Sequence, residues 1–147
     1  MLMSIKPKFG FDILRGVKRV ELRGFVAPIE SGDLVILYLS SPVKALCGEF
    51  TVGRVVYGLD GIRRIVEEYE EVSGSGVGCE DWLYVAGRRR PMGIEVLNPV
   101  EYPFRFTLDD LRREIPGFKP PLSYRVVRSW EPLYKLLVKI RGLAGVL

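Results

Sequence analysis

The apolar positions of this chain fall into short runs whose period changes repeatedly, and each change predicts a boundary between elements. Leu34-Val-Ile-Leu-Tyr-Leu39 is nearly continuous in apolar strand-formers and is closed by Ser40-Ser41-Pro42, which predicts a central strand. Ala45 to Tyr57 predicts another, and its interior Gly48 and Gly53 predict bulges or corners in a curved sheet. Ile62, Ile65, Val66 and Tyr69 recur at helical spacing between Leu59 and Val72, with glutamates on the opposite side. Upstream, Ser4 to Lys8 predicts a first strand with Pro7 at an edge or strand end. Phe9 to Arg15 predicts a short helix closed by Gly16, and Gly16 to Arg23 a half-buried strand.

Downstream, Met92 to Asn98, reaching toward Glu101, predicts a strand, and Thr107 the cap of a short helix. Tyr124 to Arg128 predicts a last strand after the rigid Lys119-Pro-Pro approach. Pro132 then opens a helix over about 131–142, with a stripe of Leu133, Leu136, Leu137 and Ile140 and Gly142 at its end. Ser73-Gly-Ser-Gly-Val-Gly78 reads as a flexible connector, because no Gly-Lys-Ser/Thr follows to make it a phosphate loop. The order β-α-β-β-β-α-β-α-β-α with Gly corners predicts an α+β fold: a small curved mixed sheet or β-barrel flanked by short helices.

Composition narrows the setting. At 147 residues the chain has the length of one domain with a single core. No apolar run is long enough to span a bilayer, and Met1 to Lys6 is too poor in apolar residues for a signal peptide, so a soluble, cytoplasmic protein without membrane contact is expected. There is no His, and Cys47 and Cys79 belong to no paired ligand spacing, so neither metal nor cofactor is expected. The lack of Gln and the single Asn98, beside abundant Arg, Glu, Val and Ile, suggest a thermophilic habitat.

Charge is distributed unevenly. The formal net charge is +4, but between Lys6 and Arg23 six Lys/Arg stand against Asp12 and Glu21 alone. Arg88-Arg89-Arg90 forms a second basic cluster, while Glu67, Glu68, Glu70 and Glu71 crowd one helix. Each cluster reads by itself as a solvated face; together they suit a polyanionic partner. Within the charged strand, alternation puts Glu21 and Arg23 on one face and Val20 and Leu22 on the other. Lys18 has the opposite parity and joins the pair if the chain turns or bulges near Arg19.

These residues suit a ligand site and also a same-face ion pair on an exposed strand. Arg23 offers a planar fork for phosphate or a base edge, and Lys6 and Lys18 supply charge on flexible stems. Glu21 can orient one of these cations, or accept from the exocyclic amine and ring N–H of a base. The Ser40-Ser41-Pro42 turn can aim hydroxyls and N–H groups at an anion, with Lys44 close by. Lys44, Arg88, Arg89 and Arg90 are the candidates for phosphate steering. Trp82 and Tyr124 are the foremost candidates for base stacking, with Tyr38, Tyr57 and Tyr84 behind them.

Four pieces in order, Ser4-Ile-Lys-Pro-Lys-Phe9, Gly16-x-Lys18-x-x-Glu21-x-Arg23, Gly32-Asp33 and Ser40-Ser-Pro42, together with Pro120-Pro-Leu-Ser-Tyr124, resemble the ASCH family of PUA-like β-barrel domains. The resemblance covers about residues 4–128. It implies a domain that binds RNA or a nucleotide in a cleft lined by Lys6, Lys18, Glu21, Arg23 and Ser40 or Ser41. The C-terminal helix lies outside the resemblance; its leucine stripe reads as a docking face against the barrel, and its apolar tail Leu143-Ala-Gly-Val-Leu147 leaves a homodimer open. Some small bacterial relatives hydrolyse amides on modified cytidines with a Lys and a Thr three positions later. Here that Thr position is Glu21, so the nucleophile of that mechanism is missing. Other relatives are ribonucleases, and a hydrolase built on this chain would use Lys18 as base or electrostatic stabiliser and Glu21 as its partner. A third alternative is a protein-interaction adaptor working through the last helix.

Overall fold

The structure, a computed structural model, describes residues 1–24 and 28–147. In chain order the elements are β1 (Leu2–Ile5), α1 (Pro7–Leu14), β2 (Val20–Gly24), β3 (Leu34–Leu39), β4 (Ala45–Tyr57), α2 (Gly58–Glu70), α3 (Cys79–Val85), β5 (Pro91–Thr107), α4 (Leu108–Glu114), β6 (Tyr124–Arg125) and α5 (Pro132–Leu143). The strands form one mixed sheet in the order β2-β5-β4-β3-β1-β6, with β1 parallel to β3 and the other pairs antiparallel.

The near-continuous apolar run of β3 has a direct cause. Val35, Leu37 and Leu39 enter one apolar cluster, with Met3, Ile13, Phe50 and Ile94, while Ile36 and Tyr38 enter another on the opposite face, with Leu133, Leu136 and Ile140 of α5. A strand buried on both faces has no polar side to show. On the second face Glu49 of β4 accepts from Arg141 of α5 through Nε at 2.8 Å and Nη2 at 3.0 Å, and from the Tyr102 hydroxyl at 2.8 Å.

The sheet curls because β4 and β5 shift register between Leu46 and Gly48, between Glu49 and Thr51, and between Val52 and Val55. Each shift adds local twist. At the first, a Cβ on Gly48 would sit 2.3 Å from the Val100 carbonyl oxygen and 2.5 Å from Leu14, so glycine lets α1 lie against the sheet. At the third, Glu95 occupies the space a Cβ on Gly53 would need, and accepts from the Arg54 backbone N–H at 2.9 Å and the Tyr69 hydroxyl at 2.6 Å. Pro99 and Pro103 lie in two of the intervals where pairing is interrupted, so β5 continues to Thr107 instead of ending near Glu101.

Several boundaries differ from the sequence-based expectation. Pro7 opens α1 rather than closing a strand, since its fixed φ suits a first helical turn. The charged strand starts at Val20, not Gly16, and the last strand is reduced to Tyr124–Arg125. Residues 79–85 form a helix the apolar pattern did not announce. The Gly-rich segment before it is no loose connector: Ser75 is fully buried, its carbonyl accepts from Arg19 N–H at 2.7 Å, and its backbone N–H donates to Glu70 at 3.1 Å. Gly76, at φ +72°, presses on the backbone of Val17 and Lys18.

That contact yields a stability prediction. A Cβ at Gly76 would stand 2.2 Å from the Val17 carbonyl oxygen, whereas at Gly74, φ +85°, it would meet nothing within 4 Å. Gly74→Ala should therefore cost roughly 1–2 kcal/mol for the left-handed backbone alone, and Gly76→Ala distinctly more. Equal losses in urea unfolding would refute the close packing of Gly76 on the Val17–Lys18 backbone. A second prediction concerns acid. Hydrogen bonds from Arg54, chiefly from its side chain, hold the Glu95 carboxyl down from 4.5 to about 2. A depressed carboxyl stabilises the fold above its unfolded value and loses that contribution as pH falls toward the folded one. Glu95→Gln should flatten the loss of stability between about pH 4.5 and about pH 2 relative to the unaltered chain.

Candidate functional site

Curling brings β2, at one end of the sheet order, against β1 and the segment leading into β6 at the other. Arg23 bridges this seam. From β2 its Nη2 donates to the Ser4 carbonyl of β1 at 2.6 Å and its Nη1 to Ser123 Oγ at 3.0 Å, while Nε donates to Glu21 Oε2 at 3.2 Å. Ser123 is itself tied to β1, its carbonyl accepting from Ser4 N–H at 2.8 Å. Among the described residues no backbone ladder joins these strands; a side chain spans the gap, beside a cavity of about 210 Å3.

Behind the cavity wall lies Lys18, with no exposed surface. Its ammonium contacts Asp81, stands 3.6 Å from Glu21 Oε1, and faces the Phe9 ring at 4.8 Å from the centroid. The parity problem is resolved before the strand begins. Val17 and Lys18 N–H both donate to the Asp12 carbonyl at 2.9 Å, and the Arg19 N–H to Ser75, so this stretch turns out of α1 and delivers Lys18 to the side of Glu21 and Arg23. Burial pushes the Lys18 ammonium below its ordinary pKa, with the Glu21 carboxylate opposing. Two cations and two carboxylates therefore balance in the floor of the site, and each has a partner of opposite sign.

Asp81 comes from α3 and does two jobs. Its Oδ2 accepts the Gly78 N–H at 2.9 Å, fixing the first turn of the helix, while Oδ1 meets Lys18. Helical spacing sorts the rest of α3: Trp82 and Val85 enter the apolar cluster of Val20, Leu22 and Ile62, and Asp81 and Tyr84 line the cavity. Trp82 is thus half-buried against that cluster and does not line the cavity. Tyr124 packs against the main core cluster, Tyr38 is buried, and Tyr57 is exposed at the far end of β4. Tyr84 is the aromatic residue, beside Phe9, that faces the cavity.

Of the other expected site residues, Glu21, Arg23, Ser40 and the exposed Lys6 line the cavity. Ser41 and Lys44 are exposed on the turn after β3 and do not line it. Arg88 lies 4.9 Å from the Tyr84 ring centroid, donates from Nε to the Tyr84 carbonyl at 3.3 Å, and packs its stem over Gly24. Arg89 and Arg90 are exposed beyond it. The cavity interior is less basic than the local charge count suggests, because the Arg23 fork is committed to protein acceptors. Asp81, Phe9, Leu122 and Ser123 also form its wall and were not singled out from sequence. The Gly78-x-x-Asp81 spacing, a cap three residues ahead of an acid, was the available signal.

Among the described residues no cluster of three or more His, Cys, Asp or Glu could hold a metal ion, and no helix is long and apolar enough to cross a membrane.

Comparison with known proteins agrees with this architecture. The ASCH domain profile matches residues 3–100. The crystal structure of ASCH from Zymomonas mobilis superimposes with a TM-score of 0.76 at 22% identity, covering 93% of this chain and 92% of that one. A mutant of the same protein gives 0.74 at 21% identity, covering 94% of each chain. A Pseudomonas putida protein gives 0.56 at 14%, covering 95% of this chain and 97% of that one. These structural likenesses establish a shared fold, and no curated protein matches the chain. With the profile spanning β1 through most of β5, including the ion-paired strand, the chain belongs to the ASCH domain family.

Proposed function

We propose that this protein binds RNA or a nucleotide by placing one base in the seam cavity, with the phosphates outside. The observation that carries this reading is the cavity itself: a space of about 210 Å3, walled by Phe9 and Tyr84, over the buried Glu21–Arg23 pair. It is smaller than the roughly 300–1,000 Å3 of sites for drug-sized ligands, and suits one planar group. Hydrogen-bonding groups at its floor can read a base edge, and the aromatic walls can cover its faces.

Phosphate contacts fall to the rim. Arg23 and Lys18 are engaged by protein partners, which leaves Lys6 at the cavity lining and Arg88, behind Tyr84, as the nearest cations without a carboxylate contact of their own in the site. Arg89, Arg90 and Lys44 extend the basic surface and would act by steering. The hydrolytic alternative needs Lys18 at the reacting atom. Its ammonium has no exposed surface and sits between two carboxylates, which favours a structural role. The adaptor alternative draws no support from α5, whose leucine stripe is spent on the sheet.

Two measurements check this reading. Affinity for a short single-stranded RNA should fall steeply with added salt, and a constant insensitive to salt would remove the phosphate contacts. Tyr84→Ala should weaken binding by about 1–3 kcal/mol while leaving the melting temperature nearly unchanged, and Trp82→Ala should do the reverse. If Trp82→Ala weakened binding while Tyr84→Ala did not, the base would lie elsewhere.

A further inference from the structure

The acceptors of the cavity are arranged for one kind of base, an inference that rests on the base-in-cavity reading and adds which base it is. Glu21 lines the cavity at 4% exposure, with one cation against each oxygen: Arg23 Nε at 3.2 Å from Oε2 and Lys18 Nζ at 3.6 Å from Oε1. A carboxylate oxygen accepts in two directions, so each keeps capacity beyond its cation. The two oxygens together make a fork of parallel acceptors. Asp81 adds a second carboxylate to the wall. Donors are fewer at the floor: Arg23 gives one N–H from each of its three nitrogens to Glu21, Ser4 and Ser123, and Lys18 is enclosed, while the exposed Lys6 stands at the lining, where it can serve a base carbonyl or a phosphate. Ser40 and Ser123 contribute hydroxyls that serve either way.

The nucleobases differ in what they offer such a fork. Guanine presents its ring N1–H directly beside its 2-amino group, two parallel donors that match a carboxylate as an arginine fork does. Adenine and cytosine present one amine beside a bare ring nitrogen, whose lone pair would face the second oxygen. Uracil presents one N–H between two carbonyls, both repelled. We infer that the cleft selects guanine, with Glu21 accepting from N1–H and the 2-amino group, and with Lys18 and Arg23 acting as positioning residues that fix the carboxylate plane.

The test is calorimetric titration of the full chain, at fixed salt, with the 5′-monophosphates of guanosine, inosine, adenosine, cytidine and uridine. Sharing sugar and phosphate, they differ in the base alone. GMP should bind roughly tenfold or more tightly than AMP, CMP or UMP, the discrimination of one bidentate contact. IMP, which keeps N1–H and lacks the 2-amino group, should fall between. Glu21→Gln, whose amide sets one donor beside one acceptor, should erase the GMP preference, with circular dichroism confirming the fold. If that variant does not fold, the five-ligand series on the unaltered chain decides. Equal affinity for all five overturns guanine selection and leaves base binding standing. IMP binding as tightly as GMP overturns the two-donor fork. Failure of every nucleotide to bind overturns the base-in-cavity reading, and the inference with it.

Discussion

The constraint on which the rest of the structure depends is that a six-stranded sheet curls until its ends meet and, among the described residues, is joined there by side chains rather than by a backbone ladder. A seam with exposed strand edges needs other partners for its polar groups. Arg23 supplies them, taking the Ser4 carbonyl from one end while standing on the other. A buried guanidinium needs a counter-charge, and Glu21, two residues away on the same face, provides it. The cavity follows from this mode of closure. Where a continuous ladder would have left no space, side chains spanning the seam leave a chamber of molecular size with charge in its floor.

Burying four ionisable groups in one place is costly unless all are matched. Matching here draws on separate parts of the chain: Lys18 from the exit of α1, Glu21 and Arg23 from β2, and Asp81 from α3. Such a network contributes less as net stability than as a demand on geometry, since any element that drifts leaves a charge without its partner. It also explains why the cavity is not simply an anion site. The Arg23 and Lys18 donors are largely used internally, and the carboxylates of Glu21 and Asp81 stand in the lining with them.

Much of this was legible from sequence, and where reading failed the cause is physical. The β3 and β4 boundaries matched because two-sided burial and interior glycine are strong local signals. Pairing of Glu21 with Arg23 followed from strand parity. The position of Lys18 did not, because it depends on where α1 ends and on long-range bonds from Ser75 to the Arg19 backbone. The short α3 escaped notice because seven residues after a Gly-rich run carry little periodicity. Asp81 was hidden with it, and Tyr84, a stacking candidate by residue type, could not be placed at the cavity. Ser123 joins the site through a contact a hundred residues away in the chain, which no local pattern encodes. The arginine fork is visible in composition, but its commitment to Ser4 and Ser123 is a property of closure alone.

The double engagement of Asp81 has a consequence for motion. One carboxylate both starts α3 and neutralises a lysine that has no access to water. Fraying of the first turn would release the aspartate and leave the buried ammonium with Glu21 as its remaining carboxylate neighbour, one that Arg23 already shares, so local opening of this small helix is coupled to loosening of the ionic floor. Tyr84, one turn further on, rides on the same element. The cavity wall and its charged floor therefore order or loosen as one unit, and a ligand that steadied either would protect the amides of both from exchange.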